Sequence, residues 1–343
     1  MTRSMLDSLT SGLLSAMQKH EHVLLLGEDI LDPYGGAFKV TRGCSTAFPD
    51  RVIATPISEA GLGGFCAGLA LRGERPVLEI MFGDFMTLLA DQLINHISKF
   101  RWMYNNTVEL PLVIRTPMGG RRGYGPTHSQ TLEKLYLGVH GLTVAAPLNF
   151  ELPDGKDCAG LLLERVITET SSPVLFIENK LQYLLPLLGS SELPDFNIKA
   201  EYSQNDSTHL YPTVLLTLKG TPAPVITLAA YGYMAELARQ AMLKLAYEYE
   251  IFCELAAPTR LSPFELEPVI QSAARTGRLL TIEEGTRTLG WGAEVAARAT
   301  EANPGVIVRR LAAQDTPVPA SPALEKSALP QVEDIIAFIK KMV

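Results

Sequence analysis

Short runs of β-branched and other apolar residues alternate with longer amphipathic stretches along nearly all of the 343 residues, and this rhythm restricts the fold more than any other feature. Met5–Lys19 is predicted as a helix, Val23–Gly27 as a strand, Glu59–Leu71 as a helix and Pro76–Ile80 as a strand. Thr87–Tyr104 is predicted as one long helix, with Leu88, Leu89, Leu93, Ile97 and Phe100 on its apolar face. Leu112–Arg115, Leu142–Ala145 and Val174–Ile177 have the length and β-branched content of buried parallel strands. From Leu184 to Pro224 the chain turns rich in Pro, Ser, Asn and Asp without a sustained period, which predicts a surface linker carrying at most one strand, Tyr211–Lys219. The rhythm then resumes with strands at Val225–Ala230, Phe252–Leu255, Leu279–Glu283 and Val306–Leu311 between helices at Ala235–Glu250, 262–276 and Gly292–Ala302, and a last helix from Val332. The expectation is an α/β fold of two doubly wound domains, residues 1–185 and 223–343, joined by a linker at 186–222.

Charge and apolar patterning exclude several functions. A net charge of −7 argues against nucleic acid or an anionic membrane surface as the main partner. Apolar runs such as Val23–Leu26 fall far short of the ~20 residues of a membrane span, and the N-terminal stretch continues as an amphipathic helix rather than a cleaved signal. Four cysteines without a CxxC pair fit a reduced cytoplasm and no metal site.

Two segments carry candidate chemistry. Arg51 to Leu71 contains a single acid, Glu59, where an extended segment meets a helix of glycine and alanine; such a site favours a desolvated carboxylic acid. Gly61-Leu62-Gly63-Gly64-Phe65-Cys66 has Cys66 where a dinucleotide fingerprint needs its third glycine, and Gly64 and Gly68, one turn apart, are expected to let a neighbouring element pack closely. Gly83-Asp84-Phe85 is rejected as a phosphate site because a ring stands where a second glycine is needed. Residues 115–130, RTPMGGRRGYGPTHSQ, must form a loop, with helix expected to resume at 131–138. The loop presents His128 beside Ser129 and Gln130, a setting for proton transfer, whereas the five other histidines are expected to be structural. Arg121 and Arg122 could attract an anionic substrate or simply be solvated, and the solvated reading is preferred.

TPISEAG at 55–61, EIMFGDF at 79–85, DQLIN at 91–95, PTHSQ at 126–130 and IEN at 177–179 together resemble the beta subunit of the thiamine-dependent decarboxylating component of 2-oxo acid dehydrogenase complexes. GEDI at 27–30, GGAFKVTRG at 35–43, FPDRV at 48–52, EEGTRTLGWGAE at 283–294 and the run at 315–330 extend the resemblance over nearly the whole chain. It implies a transketolase-like pyrimidine-binding domain followed by a transketolase C-terminal-like domain. It implies that Glu59 hydrogen-bonds the aminopyrimidine of thiamine diphosphate and promotes its imino tautomer, that Phe85 stacks on that ring, and that Ile57 and Met81 line its pocket. His128 is implied to engage the 2-oxo acid or the intermediate and to assist acyl transfer to a lipoyl group.

The resemblance also implies that the diphosphate and Mg2+ are held by a separate alpha subunit, in an assembly of two alpha and two beta chains, with a lipoyl-bearing acyltransferase as a further partner. Potassium is not firmly expected, since ERVITETSSP at 164–173 does not keep the pattern of a potassium loop. The alternative function is non-oxidative acyl transfer or acyloin formation by the same thiamine chemistry.

Overall fold

The computed structural model describes residues 3–204, 206 and 208–343. Residues 1 and 2, in the predicted first domain, and 205 and 207, in the predicted linker, lie outside the described residues. Among the described residues the first sheet has seven strands. Six come from the N-terminal half: β1 (Val23–Gly27), β2 (Val52–Ala54), β3 (Arg75–Glu79), β4 (Val113–Met118), β5 (Thr143–Ala145) and β6 (Val174–Asn179). They lie in the order β5-β6-β4-β3-β1-β2 and pair in parallel throughout. The second sheet holds β7 (Phe196–Glu201), β8 (Thr213–Leu218), β9 (Ile226–Ala230), β10 (Cys253–Pro258), β12 (Arg278–Thr286) and β13 (Ile307–Ala313), in the order β13-β12-β9-β10-β8-β7. The remaining strand, β11 (Arg260–Ser262), leaves the second half to pair antiparallel with β5, so one chain segment ties the two sheets together.

Helices cover these sheets: α1 (Met5–Lys19), α2 (Cys44–Ala47), α3 (Glu59–Leu71), α4 (Met86–Asp91), α5 (Phe100–Met103) and α6 (Gly160–Glu169) in the first half, then α7 (Gly232–Tyr249), α8 (Glu267–Thr276), α9 (Trp291–Ala302), α10 (Pro322–Ala328) and α11 (Val332–Ile339). The α1 boundary follows from local chemistry. The Ser4 hydroxyl accepts the Asp7 N–H at 3.1 Å and the Asp7 carboxylate accepts the Ser4 N–H at 3.1 Å, a capping box that satisfies two end donors. On its inner face α1 packs against α6, where Gly12 and Gly160 meet with no room for a Cβ on either.

The structure departs from the sequence expectation in several places. Residues 115–118, expected to begin the glycine-rich loop, instead complete β4 by pairing with Phe176–Asn179 of β6, so the loop starts at 119. Within 186–222 the structure holds two strands rather than one, β7 and β8, paired antiparallel as the edge of the second sheet. Phe196, Ile198 and Ala200 alternate with Asn197, Lys199 and Glu201, the period-two pattern of a half-buried edge strand. The predicted helix 87–104 is divided into α4, a π-helical stretch Gln92–Ile97 and α5; the Ser98 N–H reaches back five residues to the Leu93 carbonyl at 3.1 Å. Leu89, Leu93 and Ile97 are buried as expected, while Leu88 faces outward. After the glycine-rich loop only a single tight turn, Glu133–Leu135, replaces the helix expected at 131–138.

A buried acidic group lies where the two halves meet. Tyr231 donates to Glu133 at 2.7 Å and packs edge-on against Trp291 at 5.1 Å, and Glu283 accepts the Gly292 N–H at 3.1 Å. Burial, reinforced by the charge of Glu133, pushes the Glu283 carboxyl up to about 8. The unfolded chain releases this proton near the ordinary value of 4.5, and the folded protein keeps it until about 8. Across that window the folded state binds more protons, so rising pH favours unfolding. Glu283→Gln is expected to flatten the decline in stability between pH 5 and about 8, read as denaturant midpoints at several pH values; an unchanged pH slope would overturn the assignment.

Candidate active site

Because β6, β4, β3, β1 and β2 run the same way, their C-terminal ends line one edge of the sheet, and the residues that follow them converge there. Ligands of open parallel sheets gather at such an edge. Glu28 follows β1, the 55–59 segment follows β2, Met81 to Phe85 follow β3, the loop 119–130 follows β4, and Lys180 follows β6.

Glu59 is the first residue of α3 and is buried, 6 % exposed. None of the side-chain hydrogen bonds or ion pairs among the described residues satisfies its carboxylate. Glu28, which follows β1 at the same edge, lies within its electrostatic reach: the Glu28 carboxyl is raised by burial first, then by the charges of Glu59 and Asp29. Phe85 and Met81 are half-buried, whereas Ile57 is 81 % exposed on the connection between β2 and α3 and does not line an internal pocket of this chain.

His128 packs edge-on against Phe82 at 4.9 Å and Phe85 at 5.4 Å, with both planes near 80° to the imidazole. Tyr124 meets the far side of Phe82 at 6.0 Å, and Phe38 meets Phe82 at 5.6 Å. The result is an aromatic shelf that fixes the imidazole plane, with Nδ1 3.0 Å from the Thr127 hydroxyl. Asp84 is buried and accepts from the Gln130 side-chain amide at 2.8 Å, tying the turn after β3 to the end of the loop.

The loop itself is clamped from the second half. The Glu284 carboxylate accepts the Gly120 N–H at 2.8 Å, and Glu325 accepts the N–H groups of Arg121 at 2.7 Å and Gly123 at 3.0 Å. Gly119, at φ +94°, is required there: a Cβ would approach the Asn179 amide to 2.5 Å. Arg121 and Arg122 are half-buried rather than solvated, because Arg121 donates to the Pro330 carbonyl at 2.6 Å and lies 5.4 Å from the Tyr233 ring, while Arg122 donates to the Lys180 carbonyl at 3.2 Å. The structure thus brings Phe85 and His128 into contact and puts Glu59 on the same sheet edge. It adds Glu28, Phe82, Lys180, Glu284 and Glu325, none of which was singled out from sequence; Glu28 and Glu284 stand inside the GEDI and EEGTRTLGWGAE motifs and could have been found by asking which acids follow a strand.

The fold and this edge define a thiamine-enzyme architecture. Residues 2–184 match the transketolase pyrimidine-binding domain family and residues 219–335 the transketolase C-terminal domain family, and the chain belongs to both. More narrowly, it is a member of the beta subunits of the thiamine-dependent decarboxylating component of 2-oxo acid dehydrogenases. It is 32 % identical over 349 residues to the acetoin:2,6-dichlorophenolindophenol oxidoreductase subunit beta of Bacillus subtilis (strain 168), covering 97 % of this chain and 95 % of the relative. It is 34 % identical over 339 residues to a mitochondrial pyruvate dehydrogenase E1 component subunit beta-1 of Oryza sativa subsp. japonica, covering 98 % and 85 %. Against the human mitochondrial pyruvate dehydrogenase E1 component subunit beta the identity is 32 % over 343 residues, covering 98 % and 89 %. Among solved structures, a split-gene transketolase described as an inactive beta4 tetramer superposes with a TM-score of 0.73 over 97 % of this chain and 96 % of that one, at 20 % identity, a likeness of fold. No helix among the described residues is long and apolar enough to cross a membrane.

Proposed function

We propose that this chain is the beta subunit of a heteromeric, thiamine diphosphate-dependent 2-oxo acid dehydrogenase that decarboxylates a 2-oxo acid and passes the acyl group to a lipoyl domain. The observation that carries the reading is the Glu59 carboxylate, at the start of α3 in a residue only 6 % exposed, with no side-chain hydrogen bond or ion pair among the described residues and set in the field of Glu28. Its oxygens keep a little accessible surface, so a ligand entering at the sheet edge can reach them and complete their hydrogen bonding. An aminopyrimidine nitrogen fits that requirement, and the half-buried Phe85 offers the apolar face such a ring needs. When bound, thiamine diphosphate supplies the nucleophilic carbon and the electron sink that 2-oxo acid decarboxylation requires. Glu59 holds or gives a proton at its Oε atoms, Phe85 and Met81 orient the pyrimidine half, and His128, fixed on its aromatic shelf, hydrogen-bonds the substrate or its acyl fragment. Ile57, exposed here, would line the pocket only when a partner chain covers the 55–58 segment.

The remaining parts of the site belong to the partner in this reading. An alpha subunit holds the diphosphate and Mg2+, two such pairs associate as alpha2beta2, and a lipoyl-bearing acyltransferase receives the product. A first domain ending near 185, a second that begins with β7 rather than at 223, a cytoplasmic location, consistent with four free buried cysteines, and no assigned potassium site complete the proposal. The experiment is co-expression with the alpha partner. The alpha–beta complex is expected to reduce an artificial electron acceptor in the presence of a 2-oxo acid and thiamine diphosphate, with neither chain active alone; activity of this chain alone, or none from an assembled complex across a panel of 2-oxo acids, would refute the divided site.

A further inference from the structure

Lys180 is buried completely, with no exposed surface, immediately after β6. Its ammonium donates to the Gly119 carbonyl at 2.8 Å and to the His128 carbonyl at 2.6 Å, the residues that bracket the glycine-rich turn 120–127. The same ammonium lies 5.1 Å from the centre of the Phe82 ring, the ring against which the His128 imidazole packs. One side chain therefore touches the backbone of His128 and the main support of its imidazole. Among the described residues no carboxylate forms an ion pair with Lys180; Asp84, Glu284 and Glu325 act on it only through space, against Arg122. A buried ammonium without an ion pair is a poor device for stability, and an apolar residue of similar volume would serve folding at least as well. Two directed hydrogen bonds from a single point are what a loop of four glycines and one proline needs if it is to hold one side chain in place.

We propose that Lys180 is a positioning residue for His128, closing the loop 119–128 so that the imidazole is presented to the substrate. Because Lys180 is itself sealed from solvent and both its hydrogen bonds go to loop carbonyls, it acts through His128. The proposal rests on the role given to His128 above, and its test separates the two.

In the alpha–beta complex, Lys180→Met is expected to lower 2-oxo acid turnover by roughly ten- to a hundredfold, the effect of displacing a working group by about an ångström, with thiamine diphosphate affinity unchanged. His128→Ala is expected to lower turnover by at least as much, and the double variant to be no slower than His128→Ala alone, since a residue that acts through another adds nothing once the other is gone. Lys180→Gln, which keeps an N–H donor at similar reach, should recover part of the loss and can carry the same cycle if Lys180→Met does not assemble. Independently of catalysis, backbone amide exchange across 119–128 in the isolated chain is expected to rise about tenfold or more in Lys180→Met, while exchange in α1 stays unchanged. Multiplicative losses in the cycle, or wild-type turnover in Lys180→Met and Lys180→Gln, would overturn the role of Lys180 alone. Full activity of His128→Ala would remove the role of His128 and the proposal with it.

Discussion

Glu59→Gln in the assembled alpha–beta complex is expected to lower 2-oxo acid turnover by about 10³-fold, within the range that a positioned proton-transfer group contributes. Glutamine keeps the shape and hydrogen-bonding reach of the side chain but cannot exchange a proton. Assembly and folding should be preserved, because among the described residues the Glu59 side chain makes no hydrogen bond that the substitution would break. The electrostatics give a second readout. Glu28 is raised partly by the charge of Glu59, so in the variant its carboxyl should titrate closer to its ordinary value. Turnover, a cofactor titration and side-chain carboxyl titration by NMR together check the prediction. Loss of turnover accompanied by loss of assembly would make Glu59 structural. Wild-type turnover with cofactor bound would leave it without a role.

What sequence could show and what it could not follow one physical division. Elements set by local rules were legible: α1 begins where Ser4 and Asp7 form a reciprocal cap, β1 is a continuous apolar run, and α3 starts at the one acid in its segment. The strand β7 was also written locally, in the alternation of Phe196, Ile198 and Ala200 with polar residues, but it was hidden in a stretch whose composition suggested a linker. The division of the predicted helix 87–104 was less accessible, since a π-helical stretch is fixed by how Leu93 and Ile97 seat in the core rather than by period.

The site divides in the same way. Glu59, Phe85 and His128 came into view through motifs, because each lies in a short run whose residues are near one another in the chain. Lys180, Glu284 and Glu325 reach the loop across 52 to 204 residues of sequence, and a buried charge looks no different in one dimension from a solvated one. Arg121 and Arg122 illustrate the point: two adjacent cations in a polar loop suggest solvent, yet each is covered once α10 and β6 close over the loop. Charged side chains that fold buries against backbone are therefore the class of functional residue that pattern reading misses first.

Arg115→Met is expected to destabilise the chain by about 3–5 kcal/mol, the cost of breaking a buried ion pair by removing one partner. Arg115 lies in β4, 1 % exposed, between Glu79 at the end of β3 and Glu178 in β6. Its guanidinium pairs with both carboxylates, donating from Nε to Glu178 at 2.9 Å, and Tyr183 donates to the other Glu178 oxygen at 2.6 Å. Burial pushes the Glu79 carboxyl up, and the Arg115 charge is the first influence opposing that. Removing Arg115 leaves Glu79 and Glu178 in a dry interior without their counter-charge, so each must either stay charged and unpaired or take up a proton, and Tyr183 still donates only to Glu178. Glu79→Gln and Glu178→Gln added to Arg115→Met should then restore a large part of the lost stability, because the uncompensated charges disappear with them. The network also supports the active edge: Tyr183 packs against Phe38 at 5.5 Å, Phe38 against Phe82, and Phe82 against His128. Denaturant melts of the single and triple variants separate charge from shape. Recovery in the triple variant would identify buried charge as the cause, whereas equal loss in both would assign it to packing of the arginine stem between the strands.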